Sequence, residues 1–363
     1  MRETQLLTAL YIILAILIFG FLIFIHELGH FLTAKLFKVR VNEFSINMGP
    51  KLFGWRKGET QYSFRLIPIG GYCAMEGEDG ESEDPRSFVN AKWWKRLIIL
   101  CAGSFMNLLT GFLVMTMLYG FAGYAMQTTK ITAIEPNSSF SEQGVQVGDE
   151  MYSIDGKRVY QRMDIDLLEG RYDANDTEFV VLRNGEKLRF AHFKMEKREF
   201  ANDDGTNELR YGIDLKDFAD PSFATVNRFA AVECIDFTRM VWYGLQDLFT
   251  GRGSVKDMGG AVQVVDIMVQ SGTQSPSIGQ GILHVLYIGA FIAVNLAVMN
   301  MLPIPALDGG RVLFLLIGTV YTAITRKKIN PKYEGWINAV AMILLLGLMA
   351  MLFIKDIVTI VRR

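Results

Sequence analysis

The sequence predicts a multi-span α-helical membrane protein: four transmembrane helices, a membrane-associated β-hairpin on the cytoplasmic side and one inserted β-rich domain. Three observations carry this. Half of the 363 residues are hydrophobic, more than in an ordinary soluble protein of this length. The apolar residues gather into four runs, each near the ~20 residues that a bilayer crossing needs. Between the second and third runs lies a charged, turn-rich stretch of about 90 residues, the size of a small domain.

The first run, from about Leu6 to Phe31, lacks a small-residue cleavage site and reads as a retained span, not a removed signal peptide. The second runs from Leu97 to Met126, the third from about Gly281 to Leu302 and the fourth from Gly335 to Ile354. A further apolar stretch between Gly309 and Ile324 is interrupted by Arg311 and follows a proline-rich break. It reads as a half-helix or interfacial helix; as a full span it would move the C-terminus to the other side. Basic residues cluster at Lys35, Lys38 and Arg40, at Lys92, Lys95 and Arg96, and at Arg326, Lys327, Lys328 and Lys332. Such clusters stay cytoplasmic, so the N-terminus, the inserted domain and the C-terminus face outward. Arg362 and Arg363 pull the other way.

The organisation that follows is a first part, 1–126, with two spans and a hairpin at about 39–75; a β-rich domain, 127–216; amphipathic helices, 217–278; and the last two spans, 279–363. In the hairpin, Val39 to Ile46 and Thr60 to Ile67 are extended runs, and Gln61 to Leu66 alternates polar and apolar as a half-buried strand does. Pro68, Gly70 and Gly71 break it. An open edge here would pair with an extended substrate, or the element is a plain surface hairpin. In the β-rich domain, Phe179–Leu182 and Lys187–Phe190 flank Asn184-Gly185, a strong hairpin signal. Ile131–Ile134, Met151–Ile154 and Tyr211–Leu215 read as further strands. From Pro221 to Ile267 the pattern is helical and partly amphipathic, suited to the membrane surface or to packing on the small domain.

Residues 26–30 read His-Glu-Leu-Gly-His at the end of the first run. Histidines four apart lie on one helix face, close enough to share a metal ion, with Glu27 between them as general base for an attacking water. From Thr4 to Ala34 the only acidic, basic or histidine side chains are His26, Glu27 and His30. At ~1.5 Å rise per residue the pair lies roughly 8–13 Å inside that end of the span. Polar groups at such depth mark function, and the chemistry they suggest is hydrolysis inside a membrane.

A catalytic zinc takes three protein ligands and keeps one position for water. The best third candidate is Asp308, in the stretch Asn300 to Gly310, at the cytoplasmic end of the third span. Pro303 and Pro305 prevent a regular helix there, and Gly309 and Gly310 allow close backbone approach. On the residues alone an alternative stands: Asp308 caps the following helix and pairs with Arg311.

Together these residues resemble the site-2 protease family of intramembrane zinc metalloproteases, and within it the bacterial regulator-of-sigma-E protease branch in a form with a single PDZ-like domain. His26 to His30 matches the family's first motif, and Asn300 to Gly309, with both prolines and Leu307-Asp308-Gly309, matches its second. Phe44 to Pro50 and Arg65 to Tyr72 look like its membrane-associated β-hairpin region. Glu135 to Ser139, Gly144, Gly148-Asp149 and Asp155-Gly156 look like a PDZ core. The resemblance implies Zn2+ as cofactor, with His26, His30 and Asp308 as ligands and Glu27 as base. It places Asn300, Pro303, Pro305, Gly70 and Gly71 as substrate-positioning residues. It also implies substrates that are single-span membrane proteins of the anti-sigma factor type, trimmed outside beforehand. It implies a multi-pass protein of the bacterial cytoplasmic (inner) membrane with its PDZ-like domain outside, acting as a gate or size filter. The chain departs from the family at Ala102 to Asn107 and at Gly259 to Val262, where Gly-Pro is frequent, and at Ser139-Phe140, where Pro-Ala is common.

A net charge of −1 and no basic stripe interleaved with aromatics argue against nucleic acid as partner. Cys73, Cys101 and Cys234 have neither metal nor disulfide spacing and read as small hydrophobes. The competing functional readings are a non-catalytic PDZ-containing membrane adaptor, against which the intact Glu27 argues, and a peptidase clearing signal-peptide remnants.

Overall fold

The computed structural model describes residues 2–78, 80–201, 206–253, 259–327 and 331–361. Lys328, Arg362 and Arg363, used above for orientation, lie outside the described residues. The elements run α1 (Arg2–Leu36), β1 (Val41–Lys57), β2 (Thr60–Met75), α2 (Trp93–Phe121), β3 (Ala133–Ile134), α3 (Ser139–Glu142), β4 (Glu150–Ile154), β5 (Lys157–Arg158), α4 (Arg162–Leu168), β6 (Thr177–Arg183), β7 (Glu186–Phe193), β8 (Arg198–Ala201), β9 (Asn207–Arg210), β10 (Ile213–Asp214), α5 (Phe223–Thr250), α6 (Ala261–Thr273), α7 (Ile278–Asn300), α8 (Asp308–Thr325) and α9 (Pro331–Val361). They form two compact units, Met1–Met115 with Phe237–Arg363, and Thr116–Asp236.

Among the described residues, four helices are long and apolar enough to cross a membrane: Gln5–Leu36, Trp93–Phe121, Ile278–Asn300 and Gly335–Thr359. α2 stops short of the predicted Met126. Gly123 turns left-handed at φ 71°, and Tyr124 N–H closes back on Leu118 O. α8 is a continuous 18-residue helix but is not among the four candidate spans.

In the first unit, α1, α6 and α7 share a core of Tyr11, Ala15, Leu22, Met268, Val285, Ile292 and Ala293. Small residues permit the approach: a Cβ on Gly272 would lie 2.7 Å from the Tyr11 ring. The predicted helical stretch from Pro221 is interrupted after Thr250, and α6 buries its apolar face against α1 and α7. Asp356 of α9 caps α6 by accepting from Gly260 N–H (3.3 Å) and Gln263 N–H (3.0 Å), since glycine has no side chain to do so.

The hairpin of β1 and β2 folds over itself. Asn47 (φ 67°), Gly49 (φ 83°) and Gly70 (φ 93°) bend the two long strands, residues whose left-handed conformation suits glycine and asparagine. The register then pairs Gln61–Phe64 on one side with Glu43–Ile46 and on the other with Phe53–Arg56, while Glu43–Ile46 also pairs with Gly71–Ala74. So Gln61–Phe64, expected as an open edge, has partners on both sides. The outer strands are 51–57, largely exposed, and 71–75, largely buried.

In the second unit, β5-β4-β6-β7 make an antiparallel sheet, with β10-β3 and β8-β9 as separate pairs. Asn184 (φ 53°) and Gly185 (φ 83°) form the expected tight turn between β6 and β7. The predicted strands at Ile131–Ile134 and Tyr211–Leu215 shrink to two-residue pairs, with Gly212 left-handed at φ 68°. Phe140, Phe179 and Phe193 fill the core, with ring centroids 4.8–5.5 Å apart. Buried Asp149 is held by Arg183 through Nε and Nη2, both at 2.8 Å, and by Gln146 N–H at 2.9 Å. Gln161 donates to both Glu233 and Asp236 of α5, and Tyr119 donates to Glu233 at 3.0 Å.

Candidate metal centre

α1 is long and apolar enough to span, and its period stacks His26 and His30 on one face. His30 is buried, and its Nδ1 donates to Ile99 O of α2 at 2.8 Å. In the neutral ring that bond leaves the lone pair on Nε2, facing inward. Gly29 lets the two helices touch, since a Cβ there would lie 2.5 Å from Ala102 O.

Asp308 arrives from the opposite end of the sequence. α7 ends in tight turns, Met301 N–H to Val298 O and Leu302 N–H to Met299 O, both 3.1 Å, and Pro303 prevents continuation. Ala306 is left-handed at φ 74°, and Asn338 of α9 accepts its N–H at 3.1 Å. A Cβ on Gly309 or Gly310 would lie 2.3 Å from Leu302 O or Ile304 O, so only glycine lets α8 start directly on this loop. Arg311 pairs with Glu78 of the acidic loop, not with Asp308. Of the alternative left open by the sequence, the Arg311 pair goes to Glu78 instead, while Asp308 does stand in the first turn of α8, where a capping carboxylate would.

His26 Nε2 lies 3.1 Å and His30 Nε2 3.3 Å from Asp308 Oδ2, and the two nitrogens are 3.2 Å apart. Four-coordinate zinc with ligands at about 2.0–2.2 Å sets its ligand atoms about 3.3–3.5 Å apart, close to this triangle. Asp308 Oδ2 is buried and receives no hydrogen bond. In the tautomers that turn both Nε2 lone pairs inward, three lone-pair donors converge on one point, and they repel one another unless a cation sits among them. The two-imidazole, one-carboxylate donor set and the orphaned oxygen therefore fit a metal ion.

Glu27 turns toward the sheet, where the Cys73 backbone faces it. A Cβ on Gly71 would lie 3.3 Å from Glu27 Cγ, so the glycine brings strand 71–75 close to the carboxylate. Gly70 receives the Met48 side chain. Asn300 ends α7, and Pro303 and Pro305 lie in the loop before Asp308. Beside Gly71, Arg65 sits over the Tyr72 ring at 5.3 Å and pairs with Glu43 at 2.8 Å. Burial opposes the charge of Glu43, but the Arg65 guanidinium paired with it holds its carboxyl below the usual range. Burial pushes the Cys73 thiol up, away from thiolate chemistry.

The sequence reading missed a face of α2. A Cβ on Gly103 would lie 2.4 Å from His30 Nε2 and 2.8 Å from His26 Nε2. One turn later, buried Asn107 places Nδ2 3.4 Å from His26 Nδ1. The signal was present as a glycine and an amide four apart in an apolar span. Asn338, bracing Ala306, carried a similar signal in α9.

Two imidazoles and a carboxylate that could hold a metal ion thus meet at one end of an apolar helix. The model of Peptidase family M50 matches residues 14–348, and the chain belongs to that family. It is similar to a candidate zinc metalloprotease of Clostridium perfringens, 36% identical over 351 residues covering 96% of this chain and 99% of the relative. A second from Clostridium acetobutylicum is 35% identical, covering 96% and 97%. The regulator of sigma-W protease RasP of Bacillus subtilis is 25% identical, covering 95% and 98%. The protein is thus a zinc metalloprotease with Zn2+ as its expected cofactor.

Proposed function

We propose that this protein cuts the transmembrane segments of single-span membrane proteins within the bilayer, in regulated intramembrane proteolysis. The observation that carries the reading is the triangle of His26, His30 and Asp308 at 3.1–3.3 Å, built on a helix apolar enough to span. His26, His30 and Asp308 would hold zinc, which when bound supplies Lewis acidity and an acidified water. Glu27 takes a proton from the attacking water and returns it to the leaving amine. Strand 71–75, the outer strand beside Glu27, offers a backbone edge to a substrate that has unwound, with Gly70 and Gly71 permitting close approach. Asn300, Pro303 and Pro305 border the path on the Asp308 side. Unwinding is required because helical hydrogen bonds shield the peptide groups, so helix-breaking residues in the substrate speed cleavage.

The name of the sigma-W relative supports anti-sigma factors, trimmed beforehand, as the substrate type. The basic clusters support a multi-pass protein of the bacterial inner membrane, with the domain at 127–216 outside. The turn geometry at Gly144, Gly148 and Gly156, all left-handed, supports a PDZ-like fold for that domain, acting as a gate or size filter.

The test is cleavage of a doubly tagged single-span substrate by the purified protein in detergent, wild type beside Glu27→Gln, with and without a zinc chelator. Loss in both the variant and the chelated sample supports the reading, with a drop of roughly 10²–10⁴-fold for the missing base. Undiminished cleavage by Glu27→Gln overturns it.

A further inference from the structure

Asn107 is 1% exposed in the middle of α2, where a polar amide needs partners. Its Nδ2 lies 3.4 Å from His26 Nδ1, while its equally buried Oδ1 meets no donor. With the amide nitrogen toward the ring, two conflicts arise. A donated N–H needs a lone pair on Nδ1, which leaves the ring proton on Nε2, the atom that faces His30 Nε2 and Asp308 Oδ2. The amide oxygen meanwhile stays orphaned.

The oxygen and nitrogen of a carboxamide have the same shape and are assigned from the hydrogen bonds around them. Turning the amide by half a rotation removes both conflicts. Oδ1 then accepts the His26 Nδ1–H, and Nε2 presents its lone pair to the ligand triangle. His30 is already held in this way, through Nδ1 on the Ile99 carbonyl at 2.8 Å. Both carbonyl-type acceptors come from α2, which therefore orients both imidazoles. A neutral amide supplies the acceptor without adding a further charge to a buried site.

We propose that Asn107 is a positioning residue of the metal centre: its Oδ1 accepts the His26 Nδ1–H and fixes the tautomer whose Nε2 binds zinc. This rests on His26, His30 and Asp308 being the ligands.

The experiment measures zinc dissociation constants of the full chain in detergent, by competition with a fluorescent chelator, for wild type, Asn107→Leu, Asn107→Asp and His26→Ala. Leucine and aspartate both match asparagine closely in shape; leucine removes the acceptor and aspartate keeps it. Asn107→Leu should weaken zinc by roughly 10–100-fold, with Asn107→Asp near wild type and His26→Ala weaker still. Saturating zinc should restore cleavage to Asn107→Leu. Asn107→Ala repeats the measurement without bulk should the leucine disturb packing. Wild-type affinity in Asn107→Leu, beside a loss in His26→Ala, overturns the role of Asn107 and leaves the ligand set standing. Equal losses in Asn107→Leu and Asn107→Asp overturn it too, since the amide N–H would then be the group that counts. Unchanged affinity in His26→Ala overturns the ligand set itself.

Discussion

Gly103→Ala is the sharpest perturbation the geometry offers. The added methyl would lie 2.4 Å from His30 Nε2, 2.7 Å from His26 Cε1 and 2.8 Å from His26 Nε2. Non-bonded carbon contacts settle at about 3.5 Å, so the His30 nitrogen has to retreat by about 1 Å. His30 is tied at its far side to Ile99 O, and both rings sit on one rigid helix. A metal site accepts ligand positions within about 0.2 Å, several times less than this displacement. The expected result is lost zinc and at least ~10²-fold slower cleavage, with helical content retained. Gly111→Ala is the matched control on the same helix: its methyl would meet Val294 Cγ2 at 2.8 Å and Ala290 O at 3.1 Å, away from the histidines. It should lower stability by about 1–3 kcal/mol and keep its zinc. The assay pairs metal content after a chelator challenge with substrate cleavage and thermal unfolding. Full zinc and wild-type turnover in Gly103→Ala would refute the close packing of α2 on the histidine face.

Two further outcomes follow from the structure. Asn338→Ala leaves the N–H of left-handed Ala306 without its acceptor, which should lower stability by about 1–3 kcal/mol and speed zinc loss to a chelator; an unchanged rate of zinc loss would separate α9 from the Asp308 loop. Asp149→Asn breaks the two-pronged pair with Arg183 and should destabilise the second unit by about 3 kcal/mol. Burial opposes the Asp149 charge, but hydrogen bonds from Arg183 and Gln146 hold its carboxyl below the usual range. A depressed carboxyl stabilises in full above the unfolded value of about 3.9, and that stability is lost as pH falls through the lower folded value. The gap in melting temperature between wild type and Asp149→Asn should therefore shrink from about pH 5 to about pH 2; a constant gap refutes the ionised pair.

The sequence by itself determined what is periodic or local. The spans were legible because a bilayer demands long apolar runs, and α1, α2, α7 and α9 follow them to within a few residues. His26 and His30 were legible as a pair because a helix places residues four apart on one face. Asn184-Gly185 was legible because two left-handed residues suit so few side chains. Only the tertiary structure decided what joins distant segments. Asp308 could have paired with its neighbour Arg311, and the fold sends Arg311 to Glu78 and Asp308 to the histidines. The strand Gln61–Phe64 alternates as an edge strand does, but alternation reports which face is buried and is silent on how many neighbours a strand has. Gly103 and Asn107 have ordinary identities, and their importance comes from lying opposite the imidazoles across a helix contact. A one-dimensional pattern carries the period of a helix or strand; it does not carry the partner across the packing interface, and the partners of His26, His30 and Asp308 are set there.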